Sequence, residues 1–342
     1  MKKRKELTTK LWEDYFLDRG LSSELRKTYL EYINFISEKD LPVIFETEHL
    51  SNLIGINYQS LNSMVNNPDS FYRSFKIKKK RGGSREISAP YPSLMMCQTW
   101  IYENILVDYP IHHCAQAYRS KHSIVTNAKI HLGSRTILKM DLKDFFSSIP
   151  INWVIQFFSN LGYPNNLSYA LASLCCLEDC LPQGAPTSPA LSNILLISLD
   201  RRLYRLGKKY NLSYTRYADD LVFSGSYIPH KFIKVVANIV TNFGLTINDE
   251  KSQLIIGDKQ KIVTGISISG SSPCIPRKTK REIKKELHFI KKYGLVSHVG
   301  KMKIRNPNYL ASLEGKIRFW LQVEPNNKFA LESLLFIRSK RA

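Results

Sequence analysis

The stretch "RYADDLVFSG", residues 216–225, sets two aspartates, Asp219 and Asp220, side by side among residues that otherwise read as buried strand. Taken back to Leu212, "LSYTRYADDLVFSG" has the aromatic and β-branched make-up of a hairpin, with the aspartates at or near its turn. Two like charges in contact repel. Taking them out of water costs several kcal/mol unless something positive compensates. The fold and the function both turn on what that positive partner is.

A third carboxylate joins them. "SRTILKMDLKDFFSSI", residues 134–149, reads as a strand with Ile137, Leu138 and Met140 as its apolar part, ending at Asp141 and running into a helix. Asp141 at a strand end and Asp219-Asp220 at a hairpin tip place three carboxylates on adjacent strands of one sheet. Hard divalent cations relieve such repulsion, and Mg²⁺ fits oxygen ligands best. Two ions about 3.5–4 Å apart are what in-line phosphoryl transfer uses. An isolated Asp-Asp is also ordinary turn chemistry, so the surrounding residues have to decide.

Charge narrows the class. The 342 residues carry a net charge of +21, concentrated in two places. Residues 73–85 hold seven basic and no acidic side chains, and residues 275–342 hold seventeen basic against five acidic. Such localisation is the footprint of a polyanion, most simply nucleic acid; a solvated basic surface kept for solubility is the alternative. The start, "MKKRKELTTK", has no apolar run behind its charges and is not read as a signal peptide. The most apolar stretch, "ALSNILLISL", contains Ser and Asn and runs into Asp200-Arg201-Arg202, short of the about 18 residues a span requires. The six cysteines, including "CCLEDC", show neither disulfide nor zinc spacing, which points to buried reduced thiols. A cytoplasmic protein without a membrane partner is expected.

Along the chain, residues 1–70 read as helical. In "SSELRKTYLEYINFISEKD" the apolar face is Leu25, Tyr29, Ile33 and Ile36. "HLSNLIGINYQSLNSMVNN" has a helix, Gly turn, helix look that fits either a small nucleic-acid module or plain helical packing. "FKIKKKRGGSREISAP" reads as a hairpin with a basic tip at Gly82-Gly83, and "SLMMCQTWIYENIL" as a helix. "LPQGAPTSPALSNILLISLDRRLYRL" reads as a turn-rich loop followed by one long amphipathic helix. "KIVTGISIS" is a strand pair, and "RKTKREIKKELHFIKKYGL" and "YLASLEGKIRFWLQV" are basic amphipathic helices. The expected class is therefore α/β (α+β).

Four segments in order, "MDLKDFF" (140–146), "LPQGAPTSPALSN" (181–193), "YADD" (217–220) and "INDEKSQL" (247–254), resemble the palm motifs of reverse transcriptases over residues 71–320 or so. "NAKIH" (127–131) and "VTG" (263–265) are similar in particular to elements of bacterial retron reverse transcriptases. The resemblance implies a right-hand polymerase: an N-terminal helical extension over 1–70, fingers over 71–135 with part of 156–205, a palm from 136–155 and 206–271, and a basic helical thumb over 272–342.

Roles follow from the resemblance. Asp141, Asp219 and Asp220, with the backbone carbonyl of Leu142, would hold two Mg²⁺ ions, and deoxynucleoside triphosphates would be the substrates. Phe146 falls where the family's steric gate excludes a ribose 2′-OH. Lys78, Lys79, Lys80 and Arg85 would clamp the triphosphate, Gln183 would shape the nucleotide pocket, and Gly184 would let the backbone approach. Lys251 matches the lysine that protonates the leaving pyrophosphate. Asn127, His131, Val263, Thr264 and Gly265 mark the family and are candidates for RNA recognition. His131 has two readings, a hydrogen-bonding core histidine and an RNA contact, and Thr264-Gly265 also reads as a strand bend. Trp320 reads as packed between helices.

The resemblance further implies copying of a cognate structured noncoding RNA into a branched RNA–DNA hybrid (msDNA), primed from an internal guanosine 2′-OH. It also implies a role in antiphage defence with a partner effector protein, and template removal by a host RNase H. Competing classes are an intron-type or abortive-infection reverse transcriptase, a metal-dependent nuclease, and a catalytically idle RNA-binding scaffold. The Gln183 loop, Phe146 and the basic hairpin favour a nucleoside triphosphate over a nuclease, and the intact aspartate set argues against an idle scaffold.

Overall fold

The computed structural model describes residues 2–78 and 82–340, with the backbone alone for residues 2–8. Lys79 and Lys80, assigned above to the triphosphate, lie outside the described residues. The elements in chain order are α1 (Lys2–Asp18), α2 (Ser23–Glu38), α3 (Thr47–Ile54), α4 (Tyr58–Asn66), β1 (Tyr72–Lys78), β2 (Ser84–Pro90), α5 (Pro92–Ile101), α6 (Ile124–Lys129), β3 (Thr136–Leu142), α7 (Ile151–Leu161), α8 (Asn165–Cys175), α9 (Ser188–Leu195), α10 (Ile197–Lys209), β4 (Ser213–Tyr217), β5 (Asp220–Gly225), α11 (His230–Phe243), β6 (Ile247–Ile256), β7 (Ile262–Val263), β8 (Ile266–Ser267), α12 (Arg277–Tyr293), α13 (Leu295–Lys301), α14 (Tyr309–Val323) and α15 (Lys328–Ser339). A short π-helix, Tyr102–Leu106, continues α5. The chain divides by contact into two units, residues 1–112 with 144–198, and residues 113–143 with 199–342.

The first unit is mainly helical. Of the apolar face expected on α2, only Ile33 and Ile36 are buried; Leu25 is exposed, and Tyr29 is partly exposed with its ring against Phe16 and Phe45. α3 and α4 flank Gly55, whose φ of +81° closes α3. α4 packs Leu61, Met64 and Val65 inward, and the Ser173 hydroxyl of α8 donates to the Val65 carbonyl. The helix-turn-helix look is thus used in packing. The β1–β2 hairpin pairs Tyr72 with Pro90 through to Lys78 with Ser84. Its second strand receives the Pro182–Ala185 loop, with the Ser88 N–H donating to the Gln183 carbonyl at 2.9 Å.

The second unit is built on a four-stranded antiparallel sheet of order β4-β5-β3-β6. Strand, helices, hairpin, α11 and last strand give the split βαβ pattern of ferredoxin-like sheets. On one face Tyr214 stacks on Phe223, and Phe232 of α11 meets Phe223 edge-on. On the other face Ile137 and Val222 belong to an apolar cluster that takes in Val125 and Ala128 of α6 and Val263 and Ile266 of β7–β8. The cluster continues through Ile283, Leu287 and Ile290 of α12 to Trp320 of α14 and Ile337 of α15. Trp320 is indeed packed between helices. α12 buries those three residues and exposes Arg277, Lys278, Arg281, Lys284, Lys285, Lys291 and Lys292 along the rest of its surface.

Two expectations are corrected. No helix follows Asp141 directly: residues 143–148 form turns, with Asp144 at φ +47°, and α7 starts only at Ile151. Pro150 is the reason, since proline disfavours helical backbone at the residue before it and is itself tolerated at a helix start. The expected single helix after the Gln183 loop is two, α9 and α10, broken at Leu196; no Pro or Gly marks the break. None of the six cysteines forms a disulfide, and Cys175 and Cys176 are buried.

Gly184 has a φ of +140°, and a Cβ there would lie 2.6 Å from the Ser88 carbonyl oxygen. Both the backbone conformation and the close approach exclude a side chain. We predict that Gly184→Ala lifts the loop from β2, at a cost of about 2 kcal/mol or more. Hydrogen exchange at the Ser88 amide should accelerate, and an unchanged rate would contradict the docking.

Candidate active site

The β3–β5 register sets Asp141 directly opposite Asp220. Asp219 sits in the turn before Asp220, where its carbonyl accepts from the Leu142 N–H at 2.9 Å. The Lys143 N–H donates to the Thr246 carbonyl at 2.8 Å, tying the end of β3 to the start of β6. All three carboxylates therefore hang from one end of one sheet, as strand alternation at the sheet's end requires.

The cluster is short of positive charge. Burial first, then Asp220 and Asp141, push the Asp219 carboxyl up to about 6. Asp220 is raised by burial and by Asp141, while Lys139 and Lys251 oppose the rise. Lys251 donates to both Asp141 oxygens, at 3.0 and 2.8 Å, and this bond together with the three carboxylates raises its own pKa. Two lysine ammoniums, Lys139 and Lys251, do not balance three carboxylates, and hard oxygen donors with surplus negative charge suit a divalent cation. The donor set fits the implied metal.

Lys251 reaches Asp141 by a device that the sequence did not signal. β6 pairs Asn248 with Asp141 and Gln253 with Lys139, so residues 249–252 bulge opposite Met140 alone. The Ser252 hydroxyl donates to the Asn248 carbonyl and stitches the bulge. Such bulges re-aim a side chain. Lys139 was also missed; its position two residues before Asp141 on the same strand was the available signal.

Among the other candidates, Lys78 and Arg85 are exposed on the β1–β2 hairpin, near its tip. Gln183 and Gly184 lie on the docked loop, and Phe146 is half-buried against Phe145 at 5.1 Å between ring centres. These five belong to the first unit; the carboxylates, Leu142 and Lys251 belong to the second.

The RNA-recognition candidates form one cluster around α6. Asn127, His131 and Val263 are fully buried, which leaves them no surface in this structure for a direct RNA contact. Asn127 Nδ2 approaches the Thr264 hydroxyl at 3.5 Å, and that hydroxyl donates to the Ile124 carbonyl. Thr264 and Gly265, with φ of +47° and +82°, form the turn of β7–β8 and reach the surface. The strand-bend reading describes their geometry. His131 is a hydrogen-bonding core histidine, held by Ser224 of β5 at Nδ1 (2.8 Å) and by Thr215 of β4 at Nε2 (2.7 Å).

Comparison with known proteins agrees with this geometry. A family model described as reverse transcriptase (RNA-dependent DNA polymerase) matches residues 77–290. The retron Ec86 reverse transcriptase of Escherichia coli is 34% identical over 278 residues, covering 79% of this chain and 87% of that protein. The chain belongs to the retron reverse transcriptases. The retron Ec83 reverse transcriptase of Escherichia coli is 30% identical over 276 residues, covering 75% of this chain and 85% of its own length. The retron Mx162 reverse transcriptase of Myxococcus xanthus is 31% identical over 257 residues, covering 65% of this chain but 53% of its own length. This protein is thus an RNA-directed DNA polymerase of the right-hand class, in a family that uses divalent metal ions and deoxynucleoside triphosphates. Among the described residues no helix is long and apolar enough to cross a membrane.

Burial lowers the His131 imidazole to about 4. Its folded pKa therefore lies below the unfolded value near 6.5, so the unfolded chain takes up a proton that the fold refuses. Stability held above pH 6.5 is lost as pH falls towards 4. We predict that on going from pH 7 to pH 5 the parent loses about 2 kcal/mol more than His131→Gln, which cannot titrate. Urea denaturation of both proteins at both pH values checks this; comparing them cancels the opposite drift of Asp219.

Proposed function

We propose that this reverse transcriptase copies one cognate structured noncoding RNA into a branched RNA–DNA hybrid, starting from the 2′-OH of an internal guanosine. The observation that carries the polymerase chemistry is the set of three carboxylates at one sheet end, under-compensated by Lys251. Asp141, Asp219, Asp220 and the Leu142 carbonyl are assigned to two Mg²⁺ ions. When bound, such ions activate the attacking hydroxyl and stabilise the leaving pyrophosphate.

The chain's own residues do the rest. Lys251, already a donor to Asp141, is assigned to proton delivery to the leaving group, where a cation meets developing charge. Phe146 is assigned to exclusion of a ribose 2′-OH. Lys78, Lys79, Lys80 and Arg85 are assigned to the triphosphate, and Gln183 and Gly184 to the nucleotide. Residues 1–70 would be the helical extension, 71–135 with part of 156–205 the fingers, 136–155 and 206–271 the palm, and 272–342 the thumb. The lysines and arginines of α12 would grip duplex through phosphates.

A phosphate grip reads charge and cannot choose one RNA. Choice needs shape, looped bases or 2′-hydroxyl contacts. The exposed Thr264-Gly265 turn, backed by Asn127, His131 and Val263, is assigned to that choice. The biological setting of this reading is the cytoplasm, with an effector protein in antiphage defence and a host RNase H to remove template.

Two experiments test the proposal separately. Asp219→Asn removes a charge and little volume, so the fold should survive while Mg²⁺-dependent primer extension falls at least roughly a thousandfold. Near-normal extension would remove the metal assignment. For template choice, nucleic acid that copurifies with the protein should contain DNA joined to one structured RNA, and debranching enzyme should release it. A 3′–5′ junction would reject the 2′-OH priming and leave the polymerase untouched.

A further inference from the structure

Arg216 is fully buried, and so is Asp200 of α10. The guanidinium forks onto the carboxylate, with Nε donating to Oδ1 at 2.9 Å and Nη2 to Oδ2 at 2.7 Å. The Tyr214 hydroxyl donates to the same Oδ1 at 2.9 Å. The remaining arm, Nη1, donates to the Ala218 carbonyl at 3.3 Å. Ala218 has a φ of +57°, in the left-handed region that a residue with a Cβ enters only when its surroundings impose it.

The two carbonyls of the Ala218-Asp219 turn are therefore both held. Arg216 holds the first from beneath, and the Leu142 N–H holds the second from β3. The backbone of Arg216 is held as well, its N–H by the Cys114 carbonyl and its carbonyl by the Gln116 N–H. Strand alternation puts Tyr214 and Arg216 on the α10 face of the sheet, whereas Thr215 faces His131 on the other. Asp141 and Asp220 share the face of Thr215 by cross-strand register, so Arg216 lies behind the carboxylates and does not contact what they hold.

We infer that Arg216 and Asp200 are positioning residues for the metal-binding turn: the buried fork fixes the left-handed Ala218 and thereby the aim of Asp219. A buried ion pair is not retained for stability alone, since apolar residues of similar volume commonly replace one without loss of stability. What apolar residues cannot supply is a directed donor to one carbonyl. The fork against Asp200 sets the plane of the guanidinium, and that plane sets where Nη1 points.

The inference rests on the metal assignment of Asp219, whose own test is Asp219→Asn. The first variant here is the apolar replacement Asp200→Leu/Tyr214→Phe/Arg216→Met, which leaves no buried charge unpaired. The second is Arg216→Lys, which keeps the charge against Asp200 but cannot also reach Ala218. Each is assayed by single-turnover extension of an annealed primer over a Mg²⁺ series, with thermal melting as the check on folding. In whichever variant melts within a few degrees of the parent, extension at saturating nucleotide should fall at least tenfold. The Mg²⁺ concentration for half-maximal rate should rise threefold or more, and the nucleotide KM should stay within twofold. Parental rate and Mg²⁺ dependence in a folded variant overturn the inference, because the pair is then only packing. Equal losses in Mg²⁺ dependence and nucleotide KM overturn it too, because the whole site has then shifted. Asp219→Asn with parental activity would instead remove the metal assignment on which the inference rests.

Discussion

The structure depends on one awkward pairing, Asp141 directly across the ladder from Asp220. Opposed like charges weaken a sheet at the point where they meet, and here burial adds to the repulsion. The strands must therefore be held in register by everything except the residues that matter for chemistry. Leu138, Met140, Leu221 and Phe223 do this from the helix-covered face. A slip of one residue would exchange the two faces and put the carboxylates where that apolar set packs. Ile137 and Val222 add apolar packing on the carboxylate face itself, away from its charged end.

The hairpin that ends in Asp219 and Asp220 is anchored by polar side chains on both faces. Thr215 and Ser224 meet His131 on one side, and Tyr214 and Arg216 meet Asp200 on the other. Apolar packing gives proximity and tolerates rotation, whereas a buried hydrogen bond specifies direction because leaving it unmade is costly. On the proposed metal assignment the turn aims carboxylates, so direction is what it needs. Lys251 follows the same logic from β6, where a bulge gives up ladder hydrogen bonds to bring one ammonium onto Asp141.

What the sequence disclosed, and what it withheld, divides along physical lines. Hairpins were legible because alternation and Gly82-Gly83 or Asp-rich turns are local signals, and α12 was legible because Ile283, Leu287 and Ile290 recur at helical spacing. The three aspartates were legible because adjacent carboxylates in an apolar strand need a reason. The break at Leu196 was not, since no turn residue marks it. The bulge of β6 was hidden because "NDEKS" reads as polar surface whether or not it is paired. In sequence Arg216 is one more basic residue in a basic chain; its clue is parity, the same strand face as Tyr214 two residues earlier. Pairing it with Asp200 needed the third dimension.

The same distinction bears on the residues assigned by resemblance to RNA recognition. Asn127, His131 and Val263 are as buried as any core residue, and Val263 belongs to the apolar cluster that links the sheet to the basic helices. Val263 and Ile266 share one apolar cluster with Ile137 and Val222 of the sheet and with Ile283, Leu287 and Trp320 of the helices beyond. His131 joins α6 to β4 and β5, and Thr264 joins the β7–β8 turn to α6. Buried side chains act through what they support. Here the supported parts are the hairpin bearing Asp219 and Asp220, the surface turn at Thr264-Gly265, and the seat of α12. The hydrogen bonds of His131 and Thr264 give that core its direction, as those of Arg216 do behind the carboxylates.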